Sequence, residues 1–299
     1  MAVIDGLLKD ELIRIQREVD SLFDALLPVP SDFRARLVEA MRHATIGGGK
    51  RVRPLLLTAT AQLYGVDREI ALRAACAIEA IHAYSLIHDD LPCMDDDEFR
   101  HGKLTVHRAF DEATAVLAGD ALHALAFEIL ADPRTSGDPF LRAELVSTLA
   151  SASGFNGMAG GQVMDMVAQT TAFDLATITR LQQLKTGALL SAAVEMGAIL
   201  GHVPPEGRTH LRGYARDVGL AFQIADDLLD HEGDESKAGK ALRKDHAAGK
   251  QTFLTLLGAE RARDQARILV NQAIGHLSQH GAEADLLRSI ARFILERDH

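Results

Sequence analysis

The chain of 299 residues carries 42 Asp and Glu against 32 Lys and Arg, a formal net charge of −10, with 47% hydrophobic residues and two cysteines. That balance excludes nucleic acid or an anionic membrane surface as the main partner, so an anionic ligand must be met by clustered Lys and Arg or by metal ions. Cys76 and Cys93 form no disulfide framework and fit no zinc-ligand spacing, and the N-terminus lacks a basic start followed by an apolar core; both features point to a cytoplasmic protein.

Helical periodicity dominates from the first residues. Leu8, Leu12, Ile15, Val19, Leu22 and Leu26 recur at spacings of three and four, a one-sided apolar stripe that Pro28 and Pro30 end. "GGGKRVRP" at 47–54 follows, placing Lys50, Arg51 and Arg53 beside a helix that Pro54 opens, where anions bind well. It is not a Walker A loop, because no Ser or Thr follows the Lys. Long Ala-rich helices are predicted over 70–90 and 113–131, and further helices over 140–170, 174–201, 208–231 and 252–278. A last stripe contains Leu287, Ile290, Phe293 and Ile294. No β-branched alternation and no Asn-Gly or Asp-Gly hairpin appears. The expectation is an all-α, single-domain bundle of about ten or more helices over residues 1–299. Loops are expected at 28–33, 91–105, 132–139, 202–207 and 232–250. No apolar run reaches the roughly 20 residues of a membrane span, so stable membrane association is not expected.

Two acidic clusters stand out against this apolar background. "HDDLPCMDDDE" places six acidic side chains from Asp89 to Glu98, where Pro92 stops the 70–90 helix from continuing. Carboxylates at a helix C-terminus oppose the macrodipole, a cost that a bound cation would offset. In "QIADDLLDHEGD", Asp226 and Asp230 are four apart on one helical face, with Asp227 beside them. One such string alone also fits a solvated face; two, each at the C-terminal part of an apolar helix and each followed by a loop with Gly and basic residues, point to shared cations. Carboxylates without convergent Cys or His suit a hard cation such as Mg²⁺ together with substrate phosphate. His88 and His231 adjoin the clusters and read as surface or capping histidines. His82, seven residues before Asp89, shares its helical face; a buried core histidine is the alternative.

Taken in order, "GGGKRVRP", "AIEAIHAYSLIHDDLPCMDDDEFRHGKLTVH", "LAGDAL", "AGGQ", "KTGAL", "GLAFQIADDLLD" and "GKQT" resemble the trans-isoprenyl diphosphate synthases, the polyprenyl synthetase family, over nearly the whole chain. The likeness is greatest to the bacterial branch that makes farnesyl diphosphate. It implies the isoprenoid synthase fold around a central cavity, homodimerisation, and three Mg²⁺ per site, with Mn²⁺ as a substitute. The implied ligands are Asp89, Asp95 and Asp226, with Asp90 and Asp230 in support and Asp227 beside them. Arg100, Lys185, Thr186, Gln223 and Lys240 would assist the allylic diphosphate, and Lys50, Arg53 and His82 would hold isopentenyl diphosphate. The implied reaction joins the two head to tail, dimethylallyl and then geranyl diphosphate being the acceptors.

This chain has His101 where the family usually has a second Arg, which predicts weaker or pH-dependent use of isopentenyl diphosphate. Tyr84, about 7.5 Å below Asp89 along the helix, would close the product tunnel with Ser85, Ile81 and Ala77 on the same wall, favouring C15 over C20. Plain core filling is the alternative for Tyr84. The remaining functional alternatives are geranylgeranyl or geranyl diphosphate synthesis and a non-catalytic binding subunit. A terpene cyclase or head-to-head synthase would not need the loop around Lys50.

Overall fold

The computed structural model describes residues 6–232 and 252–296, and among these it is a helical bundle. The elements are α1 (Gly6–Leu26), α2 (Ala35–Thr45), α3 (Val52–Leu63), α4 (Arg68–Asp89), α5 (Val106–Ala109), α6 (Glu112–Ala131), α7 (Pro139–Ser153), α8 (Met158–Ala168), α9 (Leu175–Gln182), α10 (Ala188–Leu200), α11 (Thr209–Glu232), α12 (Phe253–Leu257), α13 (Ala259–His276) and α14 (Asp285–Glu296). A π-helical turn, Gln183–Gly187, joins α9 to α10.

Caps fix the starts. Asp67 accepts from the Glu69 and Ile70 N–H groups at the head of α4, and Asp111, Asp138 and Asp174 do the same for α6, α7 and α9. On α1, Leu8, Ile15, Val19 and Phe23 are the buried face. The centre of the bundle is α4: nearly every residue from Ala74 to Ile81 is buried, and the helix packs mainly against α6, α3 and α1. By length and hydropathy α4 and α6 match a membrane span, against the expectation that no segment would. The two pack against each other, α4 largely buried and α6 with part of its apolar face, including Val116 and Leu117, exposed.

Three predicted elements differ. The 140–170 helix is two helices, α7 and α8, broken by a turn at Gly154–Gly157. The 252–278 helix breaks at Gly258, whose φ of 81° is left-handed. Inside the 91–105 loop lies a hairpin, β1 (Phe99–Arg100) with β2 (Lys103–Leu104). Its turn, His101-Gly102, has positive φ at both residues, which suits a two-residue hairpin. The short helix α2 is also absent from the periodicity reading.

Candidate active site

The first acidic cluster sits where expected: Asp89 is the last residue of α4 and Asp90 its C-cap. The two neighbours part company. Asp90 is buried, its side chain 4% exposed, and its Oδ1 accepts from Arg100 Nε at 2.7 Å. Asp90 therefore fixes the Arg100 guanidinium, which also donates to Asp97 at 3.2 Å. Asp89 keeps its carboxylate toward Lys185 and Asp95. Burial, opposed by Lys185 and Arg100 and reinforced by Asp95 and Asp90, pushes Asp89 up to about 6. The Asp95 N–H donates to the Asp89 carbonyl at 2.8 Å, folding the loop back over the helix end.

Lys185 and Thr186 lie on the π-helical turn, a local irregularity often found at functional sites. Lys185 Nζ donates to Asp165 Oδ2 of α8 at 2.7 Å. Burial works against its charge, but the carboxylates of Asp165, Asp89 and Asp95 hold the ammonium above its ordinary range. Two glycines allow this convergence. A Cβ on Gly161 would stand 2.2 Å from the Lys185 backbone nitrogen, and one on Gly219 would stand 3.3 Å from the Gly187 Cα. Gly219, Gln223, Asp226 and Asp230 succeed one another at spacings of four, three and four on α11. The glycine contact thus sets Gln223 and Asp226 on the face that meets the π turn. Gln223 is buried, Thr186, Asp226 and Asp230 half-buried.

Asp227, grouped with these by sequence, is buried, and its Oδ2 accepts from the Phe253 N–H at 2.9 Å, anchoring α12. Lys240 and Lys250 lie outside the described residues.

The basic loop divides its charges. Arg51, in a left-handed conformation with φ 52°, is buried and committed: it donates to Glu79 at 2.8 Å, Asp20 at 2.7 Å and the Thr45 carbonyl at 2.5 Å. Arg51 is the clamp that holds the loop, while Lys50 is exposed. Arg53 has a solvent-shielded Nε without a hydrogen-bond partner. Burial lowers its pKa, opposed by Glu79 and by Asp226 of the second cluster. His82 is held well below the usual imidazole range by burial and then by Arg53, His101, Arg100 and Arg51, so it is neutral at pH 7. His101 lies close over Gly48 and Gly49, where added Cβ atoms would stand 3.5 and 3.6 Å from it.

The charges thus form one electrostatically coupled cluster. Arg53 feels Asp226, His82 feels Arg53 and Arg100, and Asp89 feels Arg100 and Lys185. Among the described residues no three His, Cys, Asp or Glu side chains converge as a ready-made metal site. Such a cluster can bind multivalent anions, and its carboxylates suit hard cations that arrive with them.

The polyprenyl synthetase family model matches residues 34–291. This chain belongs to the polyprenyl synthetase family. It is 44% identical to farnesyl diphosphate synthase of Escherichia coli (strain K12) over 269 residues, covering 88% of this chain and 89% of that one. Among solved structures, an FPP/GFPP synthase from Zymomonas mobilis is 58% identical with a TM-score of 0.89, covering 96% and 98% of the two chains. A geranyltransferase from Helicobacter pylori, solved with magnesium and isoprenyl diphosphate, is 31% identical with a TM-score of 0.83, covering 99% and 97%. The chain is accordingly a prenyltransferase with the all-α fold.

Below Asp89 in this prenyltransferase, Tyr84 is half-buried, whereas Ile81 and Ala77 are fully buried behind it. Ser85 turns its hydroxyl to the His82 carbonyl at 2.9 Å. The Tyr84 ring meets two imidazoles edge to face, His88 at 5.7 Å and His123 of α6 at 5.0 Å, and His123 meets Phe127 at 5.2 Å. His88 is not placed as a ligand: its Nε2 lies 3.1 Å from the Val116 carbonyl, in space that only Gly119 leaves open. Asp165, His123 and Phe127 escaped the sequence reading. Asp165 lies four residues beyond Gly161 of "AGGQ", which was the available signal.

Proposed function

We propose that this prenyltransferase condenses isopentenyl diphosphate with dimethylallyl and then geranyl diphosphate, releasing diphosphate and ending at farnesyl diphosphate. The observation that carries the proposal is the joint charge cluster, in which Arg53 and Lys185 couple electrostatically to opposite acidic clusters. Asp89, Asp95, Asp226 and Asp230 are hard oxygen donors suited to Mg²⁺, with Mn²⁺ as a substitute, and the Helicobacter relative was solved with magnesium. Bound Mg²⁺ supplies charge neutralisation for the departing diphosphate. Lys185, Arg100 and Thr186 would orient that leaving group as the allylic C–O bond breaks and its electron pair departs with oxygen. Lys50, Arg53 and neutral His82 would hold isopentenyl diphosphate so that its double bond attacks the allylic C1. The proton lost afterwards passes to the released diphosphate. Tyr84, backed by Ile81, would stop the chain at C15.

A second reading, elongation beyond C15, draws on the double name of the Zymomonas structure. A second copy of the chain is proposed to cover the face of α6 where Val116 and Leu117 are exposed, and the cytoplasm is the proposed location. The test is incubation of purified protein with Mg²⁺, isopentenyl diphosphate and each of the C5, C10 and C15 allylic starters, followed by chromatography of the dephosphorylated products. A C15 alcohol from the first two starters is expected. Absence of any elongated product would overturn the reading, and a dominant C20 or C25 alcohol would replace its product.

A further inference from the structure

Away from this charge cluster, the start of α11 and the end of α13 bring two histidines together. His210 Nδ1 and His276 Nδ1 are 3.4 Å apart, with ring centroids at 5.7 Å. A tetrahedral Zn²⁺ with nitrogen bonds of about 2.05 Å keeps its two ligand nitrogens about 3.35 Å apart. The surroundings hold the rings to that spacing. His276 lies against Gly213, where a Cβ would stand 2.4 Å from its ring. The other nitrogen, His276 Nε2, lies 3.4 Å from Asp217 Oδ2. Asp217 is 3% exposed, and this oxygen is buried without a hydrogen-bond partner, while Oδ1 accepts from Arg216 at 3.0 Å. On the far side, the Gln279 side-chain amide lies 3.3 Å from His210 Nε2; with metal on Nδ1 that nitrogen carries the proton, and the amide turns its oxygen to accept it. His210, Gly213 and Asp217 follow at three and four residues on one face of α11.

We propose that His210 and His276 form a binding site for a divalent transition metal of the Zn²⁺ class, with water completing the coordination. The ion takes the place of the single proton that the two Nδ1 atoms can share. Metal on His276 Nδ1 fixes the proton on Nε2, facing the unpartnered Asp217 oxygen. That is the carboxylate–histidine arrangement that orients metal-bound imidazoles. The site is independent of the acidic clusters: its donors are imidazoles, which suit Zn²⁺, Ni²⁺ or Cu²⁺ and not Mg²⁺. Bound metal clasps α13 to the helix that carries Asp226 and Asp230 at its opposite end.

The test uses the untagged full chain held in excess Mg²⁺, titrated with Zn²⁺ in a calorimeter and melted with and without Zn²⁺. One Zn²⁺ per chain and a raised Tm are expected in the wild type. Both should be lost in His210→Ala and His276→Ala. Asp217→Asn should weaken binding about tenfold to a hundredfold, and Gly213→Ala, which removes no ligand, should weaken it by displacing His276. Should His276→Ala fail to fold, His210→Asn at its exposed position gives the same answer. Zn²⁺ binding by His210→Ala or His210→Asn equal to that of the wild type would overturn the site.

Discussion

Arg51 and Arg53 stand two residues apart in one basic loop and do opposite work. Arg51 spends its guanidinium on Glu79, Asp20 and a carbonyl inside the protein. Arg51→Ala leaves buried Glu79 without its hydrogen-bonded guanidinium partner and should destabilise the fold by about 3–5 kcal/mol, measured by denaturant unfolding. Arg53→Ala should leave the unfolding midpoint close to wild type and raise KM for isopentenyl diphosphate roughly tenfold to a hundredfold, the worth of a charged hydrogen bond. Equal destabilisation by both changes would refute that division. His101→Arg should lower the same KM above pH 7, where an imidazole is largely neutral and a guanidinium is not; an unchanged KM would remove position 101 from substrate binding. At this scale the sequence showed which residue types gather, not which way each one turns. Asp89 and Asp90 look alike in a string, yet one opens to Lys185 and the other is taken by Arg100, ten residues further on. Asp226 and Asp227 divide in the same way, because α12 brings the Phe253 N–H to only one of them.

Elements were legible where a 3.6-residue stripe ran without interruption, as in α1 and α11, or where long Ala-rich composition favoured helix, as in α4 and α6. They were misjudged where one backbone conformation overrides composition: the turn at Gly154–Gly157, the left-handed Gly258, and the two-residue turn at His101. The proposed product wall belongs to this scale, since two helices rather than one would make it. Position counting along α4 finds Tyr84 but cannot find His123 and Phe127, which only the packing of α6 beside α4 brings up to it. If Tyr84 and His123 together close the tunnel, Tyr84→Ala should lengthen the main product by at least one isoprene unit. His123→Ala, which leaves the Tyr84 ring free to tilt, should give a mixture of the original and longer products. Chromatography of dephosphorylated products reads both. An unchanged profile in the double variant would show the Tyr84 ring to be ordinary core filling.

For the molecule as a whole, the charge cluster is a store of unfavourable charge. Asp89 titrates at about 6 in the folded chain and at about 3.9 when unfolded. Between those values the native state binds more protons than the unfolded state, so stability falls as pH rises through about 4 to 6. Well above pH 6 the full cost, about 3 kcal/mol, is present. Neutralising the site should recover it. At pH 7.5 without ligands, Asp89→Asn should therefore melt a few degrees above the wild type while losing transferase activity, a trade of function for stability. At pH 5 the two proteins should melt closer together, because protonated Asp89 no longer carries the charge that Asn removes. Mg²⁺ with inorganic diphosphate should raise the wild-type Tm more at pH 7.5 than at pH 5, and should raise that of Asp89→Asn less at either pH. The measurement is calorimetric melting of both proteins across pH 5 to 8. A variant less stable than the wild type at pH 7.5 would mean that Asp89 is held by contacts that stabilise its charge, and that the cations do not relieve a strain.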